Sequence, residues 1–336
     1  MSSDQNTQVV VVELPKGPLE QRHFEVRTAS IPEAGDGEVL VRTVYLSLDA
    51  ANRAWMQGAT YTAPVLAGDV MHGRSIGQVV ESKDAALATG DYVECDSGWQ
   101  AYSVHKAKRL MKVTPRGPLS HSMSVYGVSG LTAYFGLLEV GRPKAHETLV
   151  VSAAAGAAGN FVAQIGKIKG CHVVGFAGSA KKCAWLKDDL GLDATINYKQ
   201  DDIAGGLKEA CPRGIDVYFD NTGGDILAAV LFQMNLHGRI VCCGAVSQYD
   251  TASPAPGPFG IPGLLVVNRI RMEGFIVMDF LAKRAEAEAE LAQWVTDGKI
   301  QVREDIIEGL ENAPQGLIGL LHGDNIGKRM IKVSDE

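Results

Sequence analysis

The sequence predicts an α/β protein made of a glycine-rich, β-barrel-like unit and a doubly wound parallel sheet. Three observations carry the expectation. The chain has 336 residues, enough to bury two separate cores. Its first third consists of short β-branched runs broken by Gly, Pro and Asp. From about Val125 onward, short apolar runs alternate with helix-length segments, the pattern of βαβ units.

In chain order, residues 9–13, 38–46, 74–82 and 91–95 read as strands, with Gly73, Gly77 and Gly90 at bends or bulges. Residues 148–152 read as a strand, 157–169 as a helix stopped by Gly170, and 171–176 as the next strand. Ser179 is placed to cap a helix running to Leu190, with Gly191 just past its end. Strands follow at 194–197, 216–219, 239–243 and 271–278, with helices near 201–210 and 225–235. Residues 251–263, rich in Pro and Gly, read as an exposed loop beside a ligand cleft. Residues 280–297 read as a helix whose charges face solvent, and the tail 300–333 as returning to the first unit. The units expected are therefore 1–124 with 301–336, and 125–300.

Composition narrows the function. Apolar residues make up 46% and charged residues 21%, ordinary for a globular protein. A net charge of −7 without any basic run argues against nucleic acid as a partner. Residues 1–8 lack a basic leader and no apolar run approaches a membrane span, so a cytoplasmic location is expected. The six cysteines form no CxxC pair, and reduced thiols are expected.

The main chemical signal lies at 150–159, where an apolar strand turns through small residues into a helix. The spacing Ala153-x-x-Gly156-x-x-Gly159 is a variant of the dinucleotide fingerprint. Its first position permits a tight turn, Gly156 lets the backbone approach a pyrophosphate at the helix N-terminus, and Gly159 allows close packing. A tight turn without a ligand is the plainer alternative. An NAD site wants an acid at the end of the next strand. Here Ala177-Gly178-Ser179-Ala180-Lys181-Lys182 offers none, and instead gives a hydroxyl and cations for a 2′-phosphate. The cofactor expected is NADP(H); the competing explanation is a basic first helical turn in solvent.

The chain resembles the zinc-independent branch of the medium-chain dehydrogenase/reductases, the branch of prostaglandin, curcumin and plant double-bond reductases. The resemblance rests on Ala153 to Gly159, Gly178-Ser179-x-x-Lys182, Asn197-Tyr198-Lys199 and Phe219-Asp220-Asn221-x-Gly223-Gly224. It continues in Cys243-Gly244-Ala245-x-Ser247 with Tyr249, and in Gly323-Asp324-Asn325-x-Gly327-Lys328. It implies a GroES-like substrate domain and a Rossmann cofactor domain. It also implies a cofactor lining of Ala157, Lys182, Tyr198, Asn221, Cys243, Gly244, Ala245, Ser247, Tyr249, Phe275, Ile276, Val277 and Asn325.

Zinc-dependent relatives carry a catalytic Cys, a Gly-His-Glu stretch and a four-cysteine lobe. This chain has Gly68-Asp69-Val70-Met71-His72 at the corresponding place and no such lobe, so no metal is expected. Hydride addition to the β-carbon of an enone fits that expectation. The charge develops on an enolate oxygen, which hydrogen-bond donors can support. The resemblance assigns that donor role to Tyr249, together with a cofactor ribose hydroxyl; a loop tyrosine covering apolar surface is the alternative. Where relatives show Asp-Pro-Tyr-Met-Arg, this chain has Asp49-Ala50-Ala51-Asn52-Arg53. The missing aromatic is expected to reshape a substrate pocket containing Asn52, Trp55 and Tyr249, with Tyr61 and Met56 able to rebuild a wall. Two rival functions stay open: a quinone reductase, and an NADPH-binding structural or sensor protein. Strand 271–278 comes late in the order and is expected at a sheet edge, through which a homodimer is expected.

Overall fold

The structure, a computed structural model, describes residues 5–58 and 60–336. Residues 1–4, part of the stretch read as lacking a leader, lie outside the described residues. Among the described residues, the strands form three sheets.

The largest sheet is built around β3 (Glu38–Ser47), whose inward residues Val39, Val41, Val44 and Leu46 are wholly buried. Each such side chain contributes roughly 1.5–3 kcal/mol when taken from water. β3 pairs antiparallel with β4 (Ser75–Ser82), and β4 with β5 (Tyr92–Cys95). β6 (Tyr102–Lys106) and β7 (Met111–Val113), not anticipated from the sequence, complete this side. The bend expected at Gly77 coincides with a register shift near Thr43, and a Cβ there would meet Val41 at 2.3 Å. Ahead of this sheet, β1 (Gln5–Val11) and β2 (Phe24–Ser30) form a separate antiparallel pair.

The parallel sheet runs β10-β9-β8-β11-β12-β13. Its strands are β8 (Thr148–Val151), β9 (His172–Ala177), β10 (Ala194–Asn197), β11 (Ile215–Asp220), β12 (Met234–Cys242) and β13 (Arg271–Gly274). Val151, Val173, Val217, Phe219 and Val241 belong to one buried cluster. Val150, Val174, Tyr218 and Ile240 belong to another, so the strands are apolar on both faces. Helices α3 (Ala157–Ile168) and α6 (Gly224–Leu231) follow β8 and β11. The order reverses between β8 and β11, and ligands of such sheets bind at the carboxyl ends of the strands at that point.

Several boundaries differ from expectation. β12 starts at Met234 rather than 239, because a bulge with His237 at φ 63 extends it backward. β13 stops at Gly274, and Val277–Lys283 is a 3₁₀ turn instead of strand. The expected 251–263 loop ends in a helix, α7 (Ile261–Asn268), because Pro262 lies in its first turn, where proline's missing N–H costs nothing. α8 (Arg284–Thr296) is not simply a solvated charge face. Arg284 is largely buried and pairs with Glu94 of β5 at 2.9 Å and with Glu288 at 2.5 Å. The tail does return, its β14 (Glu304–Glu308) and β15 (Lys328–Lys332) adding to the sheet beside β3. No helix among the described residues is long and apolar enough to cross a membrane.

Candidate functional site

The turn after β8 is formed by backbone constraint. Ala153 takes φ 48, a left-handed conformation a small side chain tolerates, and its carbonyl accepts the Gly156 N–H at 2.9 Å. A Cβ at Gly159 would lie 2.2 Å from that same carbonyl oxygen, so helix α3 packs here only with glycine. The turn opens into a cleft of about 240 Å³. Ala153, Gly156, Ala157, Gly159, Lys182, Tyr198, Asn221 and Asn325 line it.

Asn221, Asn325 and Lys182 in the wall are each held by a bond to a backbone carbonyl. Asn221 donates its amide to the Ser152 carbonyl at 2.7 Å, joining the ends of β8 and β11. Asn325 donates to the Gly327 carbonyl, and the Gly327 N–H donates to Ala155, which ties the tail to the turn. Lys182 donates to the Gly323 carbonyl at 2.6 Å. Burial lowers the Lys182 pKa from the ordinary lysine value, partly offset by Asp324, so this ammonium lacks solvation that an anion would restore. Ser179 caps the short helix α4 (Ala180–Ala184), its hydroxyl oxygen accepting from the Lys182 N–H at 3.3 Å. That leaves its own proton to donate.

Ser179 and other expected residues fall outside the cleft wall. The Cys243 and Gly244 N–H groups donate to the Asp220 carbonyl, and burial pushes the Cys243 thiol up to about 12. The Ser247 hydroxyl donates to the Thr222 carbonyl at 2.6 Å, and Val246 takes the wall position instead. The Phe275 ring meets Phe219 edge-on at 6.3 Å, Val277 is buried, and neither they nor Ile276 and Ala245 line the cleft. Met278 faces a second, larger cavity of about 550 Å³.

That cavity adjoins the cleft at Asp49, which lines both. Burial acts to raise the Asp49 pKa, but the Lys328 ammonium, 2.6 Å away, and the Ser47 hydroxyl hold it below the usual carboxylate value. Ala51, Trp55 and Tyr61 line the cavity, so two aromatics flank the small residue at the position where the resemblance leads one to look for tyrosine. Met56 is core, 3% exposed. Asn52, expected in the pocket, is buried beneath it: its side-chain carbonyl accepts the Asp49 N–H, and its amide donates to the His72 carbonyl. The far wall carries Arg74, which donates to Glu94 at 3.1 Å and to Asp96 at 3.3 Å. No motif pointed to Arg74 or Glu94, and Lys328 stood in the tail motif without its pairing to Asp49, 279 positions away. Among the described residues, no three His, Cys, Asp or Glu side chains gather as a metal site would need.

Tyr249 follows a short 3₁₀ turn (Val246–Gln248) whose Val246 and Ser247 N–H groups donate to the Asn221 and Thr222 carbonyls. Its hydroxyl oxygen accepts the Ala245 N–H at 3.1 Å, leaving the phenolic proton for donation. Tyr249 lines neither cavity in this structure. Asp220, unassigned from sequence, accepts from Tyr218, Thr222 and Gly223 and so shapes the loop beneath.

A parallel sheet with a glycine turn at its switch point, next to a second cavity bounded by another sheet, defines a dinucleotide-dependent oxidoreductase. The comparisons with known proteins agree. Residues 7–113 match the family "N-terminal domain of oxidoreductase", and residues 157–297 match "Zinc-binding dehydrogenase". The chain is 44% identical to NADPH-dependent curcumin reductase of Escherichia coli, over 98% of each chain. It is 43% identical to prostaglandin reductase 1 of Bos taurus, over 92% of this chain and 93% of that protein. The structure of CurA in complex with NADPH from Vibrio vulnificus superposes with a TM-score of 0.94 at 40% identity, covering 98% of this chain and 100% of that one. The chain belongs to the zinc-independent medium-chain dehydrogenase/reductase family.

Proposed function

We propose that this chain reduces the carbon–carbon double bond of α,β-unsaturated ketones and aldehydes with NADPH, by hydride delivery to the β-carbon. The reading is carried by a phosphate-ready cleft that ends in lysine rather than an acid, in a chain kin to reductases named for NADPH. Gly156 and Gly159 fit a pyrophosphate, since a Cβ at Gly156 would stand 3.1 Å from the Ala153 carbonyl oxygen and would occupy the approach. Lys182 and Ser179 would hold the 2′-phosphate, Tyr198 and Asn325 the adenosine half, and Asn221 the far half. Residues 243–247 and 275–277 would contribute through backbone or through movement on binding.

When bound, the cofactor supplies the hydride. The chain's residues supply the rest. The larger cavity, walled by Trp55, Tyr61 and Met278, orients the substrate and shields its double bond. The Tyr249 hydroxyl donates to the carbonyl oxygen as enolate charge develops. Water protonates the α-carbon. Reaching that oxygen needs the Tyr249 ring to turn toward the cavity or the substrate to extend toward residue 245.

The division into units 1–124 with 301–336, and 125–300, is supported by the strands each sheet contains. A homodimer through β13 is supported by its edge position and by nearby exposed Phe259, Val266 and Val267. A monomer mass by light scattering at micromolar concentration would remove it. A cytoplasmic location is supported by six free cysteines.

The test is NADPH oxidation across enals, cyclic enones, long-chain enones and quinones. Fast turnover of one of the enone or enal classes supports the proposal. Turnover of quinones alone, or NADPH binding with no turnover, refutes it in favour of a quinone reductase or a sensor respectively.

A further inference from the structure

We infer that Arg53 is a positioning residue for Tyr249, acting through Asp250. Arg53 lies on α1 (Ala50–Trp55), is 1% exposed, and projects out of the first unit. Its Nε donates to the Asp250 carboxylate at 2.9 Å, and its Nη2 donates to the Gly17 carbonyl at 2.7 Å. The same Asp250 oxygen accepts the Leu19 N–H at 2.7 Å. Just past the end of α1, the Gln57 amide donates to the Tyr249 backbone carbonyl at 2.8 Å. Tyr249 is thus held from both units: Gln57 holds its backbone carbonyl, residues 53 and 19 hold the side chain of the next residue, Asp250, and the Ala245 N–H meets its hydroxyl.

A guanidinium buried this fully is tolerated only where its charge is answered, and Asp250 is the carboxylate that answers it. The pair does not touch the cleft or the larger cavity, so its effect on chemistry runs through the adjoining residue. Beyond Ala252 the chain enters its exposed Pro- and Gly-rich stretch, so the clamp is the final fixed point before a segment with few anchors. Fixing residue 250 fixes the backbone from which the phenol projects. A donor misplaced by about 1 Å loses much of its effect on the transition state.

The inference rests on Tyr249 being the donor, and the experiment separates the two ideas. Asp250→Asn, which keeps size and an acceptor but removes the charge, is made in the native chain and in Tyr249→Phe. Steady-state kinetics, NADPH affinity and amide hydrogen exchange of residues 246–252 are measured for all four proteins. In the native background Asp250→Asn should lower kcat about tenfold, with KM and NADPH affinity changing less than about twofold. In Tyr249→Phe it should cost under about twofold, because the group being positioned is already gone. Exchange at 246–252 should quicken in both. Equal kcat losses in the two backgrounds, or unchanged exchange, overturn the role of Arg53 and Asp250 while leaving Tyr249 as donor. An unchanged kcat in Tyr249→Phe alone overturns the donor reading, and the positioning role falls with it.

Discussion

The proposed cofactor cleft and substrate cavity share Asp49, yet they are built on opposite principles. The cleft is a backbone object. Its shape comes from a left-handed Ala153, from glycines that leave no room for a Cβ, and from amides that bond within or between adjacent loops. The cavity is a side-chain object. Its walls come from the end of β3, α1, the 72–74 segment, β5, the 122–128 segment and Met278, and its polar end is the Arg74–Glu94 pair. A backbone object tolerates almost no substitution at its glycines, whereas a side-chain object can be reshaped one residue at a time. The cofactor is therefore fixed by the fold, and substrate choice is open to change.

The strongest way to break that contrast is Gly159→Val. With a Cβ 2.2 Å from the Ala153 carbonyl, either α3 or the turn must shift. Overpacking of this kind costs about 1–3 kcal/mol or more. The variant should lose thermal stability and NADPH binding together; native stability with native NADPH affinity would show that the turn is soft.

Next in size is Lys182→Ala, which should weaken NADPH binding by about 1.5–3 kcal/mol and leave NADH binding unchanged. Equal losses would mean that Lys182 serves only its bond to Gly323. The pH dependence sharpens this. The protonated form binds phosphate, and burial lowers the Lys182 pKa below the ordinary 10.5. NADPH affinity should therefore fall on the way up to pH 10.5 in the native protein, and the Lys182-dependent part of that fall should be absent from Lys182→Ala.

The same contrast governs what the sequence made legible. The turn, the Ser179 cap and strands β8 to β11 depend on neighbours within a few residues, so spacing alone located them. β13 was read too long because Phe275 and Val277 look like strand residues, although they serve the core from an irregular segment. α7 was hidden by Pro262 and Gly263, whose residue types suggest a loop. In the cavity, Asn52 was placed by analogy of position, but its amide is consumed by backbone 3 and 20 residues away. Arg284 reads as a solvated charge because its partner, Glu94, stands 190 positions earlier, on β5.

A smaller effect is expected in the cavity wall. Ala51→Tyr adds an aromatic beside Trp55 and Tyr61 and should shift preference from bulky to small enones by about tenfold or less. NADPH affinity should not move, and an unchanged substrate ranking would show that Ala51 does not bound the bound substrate.

The most direct test of the account is Tyr249→Phe on the best enone. A donor to developing charge acts more in the transition state than in the ground state, so kcat should fall more than KM rises. A drop on the order of ten- to a hundredfold is expected, milder than the cost of a sole oxyanion donor, with NADPH affinity unchanged. An unchanged kcat would contradict the account and leave Tyr249 as a loop residue held by Ala245.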